Sequence, residues 1–495
     1  MQHPSIFDPN RVAKLRRVPA HCSRWIGCVA VLVASAGPAY ALDPAGTIAP
    51  PITVDAVFSA DQTNQYVLDV EAAMARAQAK HGAIPKSAAD EITLKAHTRY
   101  APQEDIKKER GIVQHRMVAL LNVWRRQIDP EARPFVHFGA TTVDIYDTAL
   151  TLQLLRSTSL IIQDLREIES LMIQLARSSN DAVMAGRTLG QHALPITFAK
   201  KVSTWIGENR RNIERLKGLH TELRRCAILK GAVGTYAGLG ERAIDIERSF
   251  ASELGLLEPY PDDWHGTRDV FATYAWTLAL ISKSFARIGQ EVFLLQMTDI
   301  GEIAEPRDPA SVSSSSLAQK INPSKSEALI HAGRMIPRLA EVLLDDVVNF
   351  FERDNTSGPN SVIEDISILS EDNLDAAKAL LTRLQVNRAE MRSNLGRTKG
   401  FIMAQRVVFA LAAEIGMEEA DKRVHAIIDR ARQDGSDFRT ALLADAEFSQ
   451  AITPAQLDDL LRPEGHLGLA DQQLDAVIGE AEAQRASDPK LDENR

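Results

Sequence analysis

The stretch SVSSSSLAQKINPSKSEALI, residues 311–330, places Ser314, Ser315, Lys320, Asn322 and Glu327 within fourteen residues of one another. Hydroxyls beside an ammonium and an amide suit removal of a weakly acidic proton next to a carboxylate. The doubly charged aci-carboxylate that forms needs cationic and hydrogen-bonding groups around it. Serine is a poor base in water and serves only where loop amides and a lysine stabilise its alkoxide in a low-dielectric site. Composition alone also fits a solvated linker. The apolar, helix-forming run EALIHAGRMIPRLAEVLL that follows argues for a loop feeding a long helix, where chemistry is often mounted. Glu327, seven residues after Lys320, shares its face if that helix starts early, and is otherwise a solvated glutamate.

Two more stretches are richer in polar side chains than a connection needs. HFGATTVDIYDTAL carries His137, Gly139, Thr141, Thr142 and Asp144 directly before a helical run. These residues can cap the helix, and the same free amides and hydroxyls can bind a substrate carboxylate. GRTLGQHALPITFAKK carries Arg187, Thr188, Gln191 and His192 between two helices. The glycines of KGAVGTYAGLG match no nucleotide-binding spacing and follow no strand, so they read as a turn.

The elements that must position these loops read as helix after helix from about residue 61. YVLDVEAAMARAQAKHG has apolar residues at helical spacing and a glycine stop, and DTALTLQLLRSTSLIIQDLREIESLMIQLARSS has neither Pro nor Gly. TRDVFATYAWTLALISKSFARIGQEVFLLQMTDIGEIAE reads as almost continuous helix, and strand alternation is nearly absent. Helices this long and this apolar bury their surface against one another. The expected fold is all-α: a long-helix bundle over 139–384, with smaller helical domains at 42–138 and 385–495.

Composition bounds the rest. The 495 residues are 45% hydrophobic and 25% charged, as for a soluble protein with a real core. The net charge of −9 offers no basic surface for a nucleic acid. The first 41 residues have a leader's form: Arg11, Lys14, Arg16, Arg17 and Arg24 precede an uncharged run that ends in Ala39-Tyr40-Ala41. That run is short for a membrane span, so cleavage after Ala41 and export to a bacterial periplasm are expected, with no stable anchor. Cleavage leaves 52 basic and 65 acidic residues, a net charge of −13, and one cysteine, Cys226, expected to be inert core.

Taken in order and spacing, the three polar stretches resemble the signature segments of the fumarase/aspartase superfamily. SSSSLAQKINP matches the serine pair, lysine, asparagine and proline of that superfamily's third segment, with Ser313, Leu317 and Ala318 replacing Gly, Met and Pro. Within the superfamily, DAVFSADQTNQYVLDVEAAMARAQAKHGAIP, WHGTRD and the tail LLADAEFSQAITPAQLDDLLRPEGHLGLA look most like the 3-carboxy-cis,cis-muconate cycloisomerase branch, with adenylosuccinate lyases next. The resemblance implies a cofactor-free, metal-free lyase acting by reversible β-elimination or addition on a small polycarboxylate. It implies a homotetramer whose sites each draw Thr142, His192 and Ser314 from different chains. It puts the base on Ser314; the four-serine run keeps Ser315 as runner-up, and with no apolar anchor among them these serines are expected to form a mobile loop that closes over the substrate. It favours Glu327 as an acid that orients Lys320 or a histidine, and assigns substrate contacts to His137, Thr141, Thr142, Asp144, Arg187, Thr188, Gln191 and Arg268. Leu189 stands where hydrolytic members have a catalytic histidine, which leaves His192 as the candidate general acid and His137 or His265 as alternatives. The segment ERDNTSGPNSVIED lacks the arginine that holds a nucleotide phosphate in adenylosuccinate lyases. Lactonisation of the muconate type, adenylosuccinate-type C–N cleavage and a silent dicarboxylate-binding homologue remain alternatives.

Overall fold

The computed structural model describes residues 52–307, 316–317, 319–354 and 359–488. The expected leader and the serines at 311–315 lie outside the described residues. Within them the chain is a bundle of long helices with almost no strand, the all-α fold the sequence implies. The bundle is built from Thr142–Ser178, Phe198–Leu223, Asp269–Leu295, Ser324–Asp345 and Pro359–Leu381. The first of these has 37 residues, no Gly or Pro, and buried side chains on most of its circumference. At 1.5 Å per residue it is roughly 55 Å long.

Side-chain contacts fix the directions. Lys201 pairs with Glu291 and Asn212 with Ser284, so the 198–223 and 269–295 helices run antiparallel. Tyr274, fully buried, shares its hydroxyl with Ser157 at 2.9 Å and Ser367 at 2.8 Å, and so ties three helices that run in the same direction. The 269–295 and 324–345 helices run antiparallel in close contact through two glycines. A Cβ on Gly333 would stand 2.4 Å from the Ala286 Cβ, and one on Gly289 would stand 2.8 Å from the Leu329 Cβ.

Two features differ from the sequence reading. The run from Asp269 does not stay helical to Glu305. It stops at Leu295, whose carbonyl accepts the Glu302 amide, and it reverses at Gly301, φ +62°. Ile303–Ala304 then pairs with Gln385–Val386. Second, the expected loop at 187–192 is a β-hairpin, with β1 (Val183–Thr188) antiparallel to β2 (Gln191–Thr197). Its tip, Leu189-Gly190, has positive φ at both residues, the mark of a tight two-residue hairpin turn.

The N-terminal helices share one continuous apolar core with the bundle, and Leu474, Ile478 and Ala481 of the last helix, Ala470–Arg485, join it. A separate small core forms around Val407, Val424, Phe438 and Leu457. After the last helix, Asp488 is buried in an ionic network: it accepts from Arg210 at 2.9 Å and from Lys217 at 3.1 Å, and Arg210 also pairs with buried Glu169. Cys226 is buried, and burial pushes its thiol up to about 12, so it is unreactive core. Among the described residues, no helix is long and apolar enough to cross a membrane.

Candidate active site

One end of the bundle carries the first polar loop. Thr141 caps the 142–178 helix and Thr142 begins it, both half-buried. Asp144 is fully buried, and its two oxygens accept the backbone amides of Thr141 (2.9 Å), Lys230 and Gly231 (3.0 Å each). It therefore joins two loops, with both oxygens already engaged. Burial raises its carboxyl above the usual range, against the opposing pull of those amides. Gly139, φ +74°, lies where a Cβ would meet the Gly238 carbonyl at 2.7 Å, so only glycine lets the loops approach this closely.

His137 packs its Nδ1 2.6 Å from the buried Glu71 carboxylate. Burial works against its cation, but Glu71 outweighs this and holds the imidazole above its usual value. Arg268 is buried on Asp147 at 2.7 Å, and His265 sets its Nδ1 2.8 Å from Asp263 and its Nε2 3.5 Å from Asp144. Beneath them Lys230, almost fully buried, donates to Tyr236 (2.6 Å) and Glu247 (2.9 Å).

The opposite end carries the other two stretches. Arg187 makes a two-pronged pair with buried Glu302 at 2.7 and 2.8 Å, and Asn394 donates to the same carboxylate. Thr188 and Gln191 are exposed at the hairpin tip, with Leu189 fully exposed between them. His192 is half-buried; burial and the nearby Arg187 charge hold it below its usual value. Three residues past Glu302, the buried Glu305 carboxylate accepts the amides of Lys325 (3.0 Å) and Ser326 (2.7 Å), capping the 324–345 helix. Lys320 is exposed and Asn322 half-buried just ahead of that helix. Because the helix starts at Ser324, Lys320 lies outside it, and Glu327 is an exposed first-turn residue that shares no helical face with the lysine. Ser314 and Ser315 lie outside the described residues.

Sequence reasoning thus located the loops but missed the acids that hold them. Glu71, Asp147, Glu302 and Glu305 carry no local signal, since each acts on a segment remote in the chain. Lys230, set in the apolar run CAILKGAVG, was the one visible hint of a buried charge. One chain does not bring the three stretches together: the helix between the two ends, Phe198–Leu223, has 26 residues and is roughly 39 Å long. Among the described residues, no group of three His, Cys, Asp or Glu side chains could hold a metal ion.

Comparison with known proteins agrees with this architecture. Residues 53–337 match the family described as Lyase, and residues 400–477 match the family described as Adenylosuccinate lyase C-terminus. The chain is 34% identical over 427 residues to an adenylosuccinate lyase of Methanocaldococcus jannaschii, covering 85% of this chain and 92% of that one. It is 32% identical over 428 residues to an N-acetyl-S-(2-succino)cysteine lyase of Dickeya dadantii, covering 86% and 93%. The crystal structure of 3-carboxy-cis,cis-muconate lactonizing enzyme from Pseudomonas putida superposes with a TM-score of 0.79 at 29% identity, covering 91% of this chain and 99% of that one. A bundle with polar loops at both ends, matched over most of its length to lyases and a lactonizing enzyme, makes this chain an enzyme of the fumarase/aspartase superfamily.

Proposed function

We propose that the protein is a cofactor-independent lyase that reversibly breaks a carbon–heteroatom bond β to a carboxylate on a succinyl-type polycarboxylate. The observation that carries this is the division of labour in the loops. Buried acids (Asp144, Glu302, Glu305) fix the backbones, while Thr142, Gln191, His192, Lys320 and Asn322 stay at least partly open to solvent. Two of the relatives are named for substrates with a succino group. In this reading a serine of the 311–316 stretch, Ser314 or Ser315, removes the proton alpha to one carboxylate. The electron pair moves into that carboxylate, where Lys320 and Asn322 stabilise the extra charge. It then returns to form the fumarate double bond, and the heteroatom leaves with its bonding pair and is protonated by His192. Thr141, Thr142, Thr188 and Gln191 bind the carboxylates; Asp144, Arg187 and Arg268 are positioning residues.

Because Thr142 and His192 stand at opposite ends of the bundle, a complete site needs several copies, and we assign the active form to a homotetramer. The leader directs the enzyme to the periplasm, and N-terminal sequencing of the protein from its native host should find Leu42 first. A cytoplasmic protein with Met1 intact would refute export.

A second reading, muconate-type lactonisation, is favoured by Leu189, an exposed apolar side chain with no proton to give. Purified protein beginning at Leu42 is tested against N-, S- and O-linked succinyl adducts and 3-carboxy-cis,cis-muconate, following ultraviolet absorbance. Fumarate release from an adduct supports elimination, and loss of muconate absorbance alone supports lactonisation. Succinate binding without turnover of any compound would make the chain a silent binding homologue.

A further inference from the structure

Beside the first loop stands a cationic cluster that the reaction above does not use. Tyr146 lies four residues after Thr142 on the 142–178 helix, so the two side chains are neighbours on one face, about 5–6 Å apart at Cβ. The Arg116 guanidinium lies over the Tyr146 ring, 5.2 Å from its centroid. The Tyr146 hydroxyl is shielded from solvent and has no hydrogen-bond partner among the described residues. Burial raises this phenol above its usual value, against the opposing charges of Arg116 and then Arg110. Arg110 and Arg116 are both exposed, at the end of the Gln103–Val113 helix and the start of Arg116–Arg125. Neighbouring Glu109 is turned away, onto Asn122 and Arg126. Arg110 and Arg116 pair with no carboxylate among the described residues and, in a chain of net charge −9, make a local anion-attracting surface one helical turn from Thr142.

We propose that Arg116, Tyr146 and Arg110 form a subsite for a further anionic substituent of the substrate, a carboxylate or phosphate beyond the two carboxylates of the succinyl unit. The guanidinium supplies paired donors for a planar or tetrahedral oxyanion, and the Tyr146 ring against which it lies holds it beside Thr142. The inference rests on the polycarboxylate reading and names the leaving half's charge as what the enzyme selects.

The test measures equilibrium binding by calorimetry on wild type, Arg116→Met and Arg116→Lys. Three probes are used: succinate, tricarballylate (a succinate with one more carboxylate arm) and inorganic phosphate. Arg116 is exposed, so its variants should fold normally. The expected result is that Arg116→Met weakens tricarballylate or phosphate by about 10-fold or more while succinate changes less than about two-fold, with partial recovery in Arg116→Lys. Which of the two anions is lost tells carboxylate from phosphate. If succinate binds and Arg116→Met treats all three anions alike, the subsite is overturned and the lyase reading stands. If succinate does not bind but phosphate binding falls in Arg116→Met, the subsite stands and the polycarboxylate reading fails. No binding of any probe to wild type overturns both.

Discussion

His192 is mostly uncharged at neutral pH, because burial and the Arg187 guanidinium both disfavour its cation. As general acid it must carry a proton, so kcat/KM should fall as pH rises through a value below the ordinary histidine pKa of about 6.5. His192→Asn should abolish that limb and lower kcat by roughly 100-fold or more; a limb unchanged in the variant would remove His192 from the reaction. His137 has the opposite shift. Its pKa is raised in the folded chain, so the stability from its pair with Glu71 is complete below about 6.5 and is lost as pH rises through the raised value. His137→Leu strands a buried carboxylate and should destabilise the fold by about 3 kcal/mol at pH 5.5. Chemical denaturation at pH 5.5 and 9 should show the difference shrinking at the higher pH. Residue types announced these histidines in the sequence, but their opposite environments come from Glu71, 66 residues away from His137, and from Arg187, set directly across from His192 by a hairpin the sequence did not announce.

At the scale of elements, the helices were legible and the ends were not. Thr142–Ser178 declared itself by 37 residues of unbroken helix-forming sequence with a polar cap. The hairpin did not, because Leu189 is an unusual choice for a left-handed turn position, φ +52°, and the strand Gln191–Thr197 contains Pro195. Leu189→Gly should relieve that backbone, raising stability by up to about 1 kcal/mol in thermal unfolding. The helix stop at Leu295 was hidden because the residues after it are also helix formers, and the stop depends on the Gly301 reversal. Close packing of the 269–295 and 324–345 helices sets where Lys320 emerges. Gly333→Ala forces a Cβ into Ala286 and should destabilise by about 1–3 kcal/mol. A measured loss below about 0.5 kcal/mol would mean the helices separate easily.

At the scale of the whole molecule, the separation of Thr142 from His192 makes a complementation test decisive. Thr142→Val and His192→Asn variants, each nearly inactive, should regain part of the wild-type rate when unfolded together and refolded, because mixed assemblies contain some sites with neither defect. No recovery, with tetramers present by light scattering, would place each site within one chain. The sequence showed that there were three loops, but only the helix directions showed that they lie at opposite ends. The length of the 142–178 helix has a consequence for how such a chain can change over generations. Each residue advances the helix by about 100°, so deleting one near its middle swings Thr142 about a quarter-turn relative to the other end of the bundle. Removing seven residues leaves a mismatch of only about 20° but shortens the rod by roughly 10 Å. Point substitutions can therefore accumulate along this helix far more freely than gaps. Its residue count is in effect a gauge length, and insertions should collect in the loops instead.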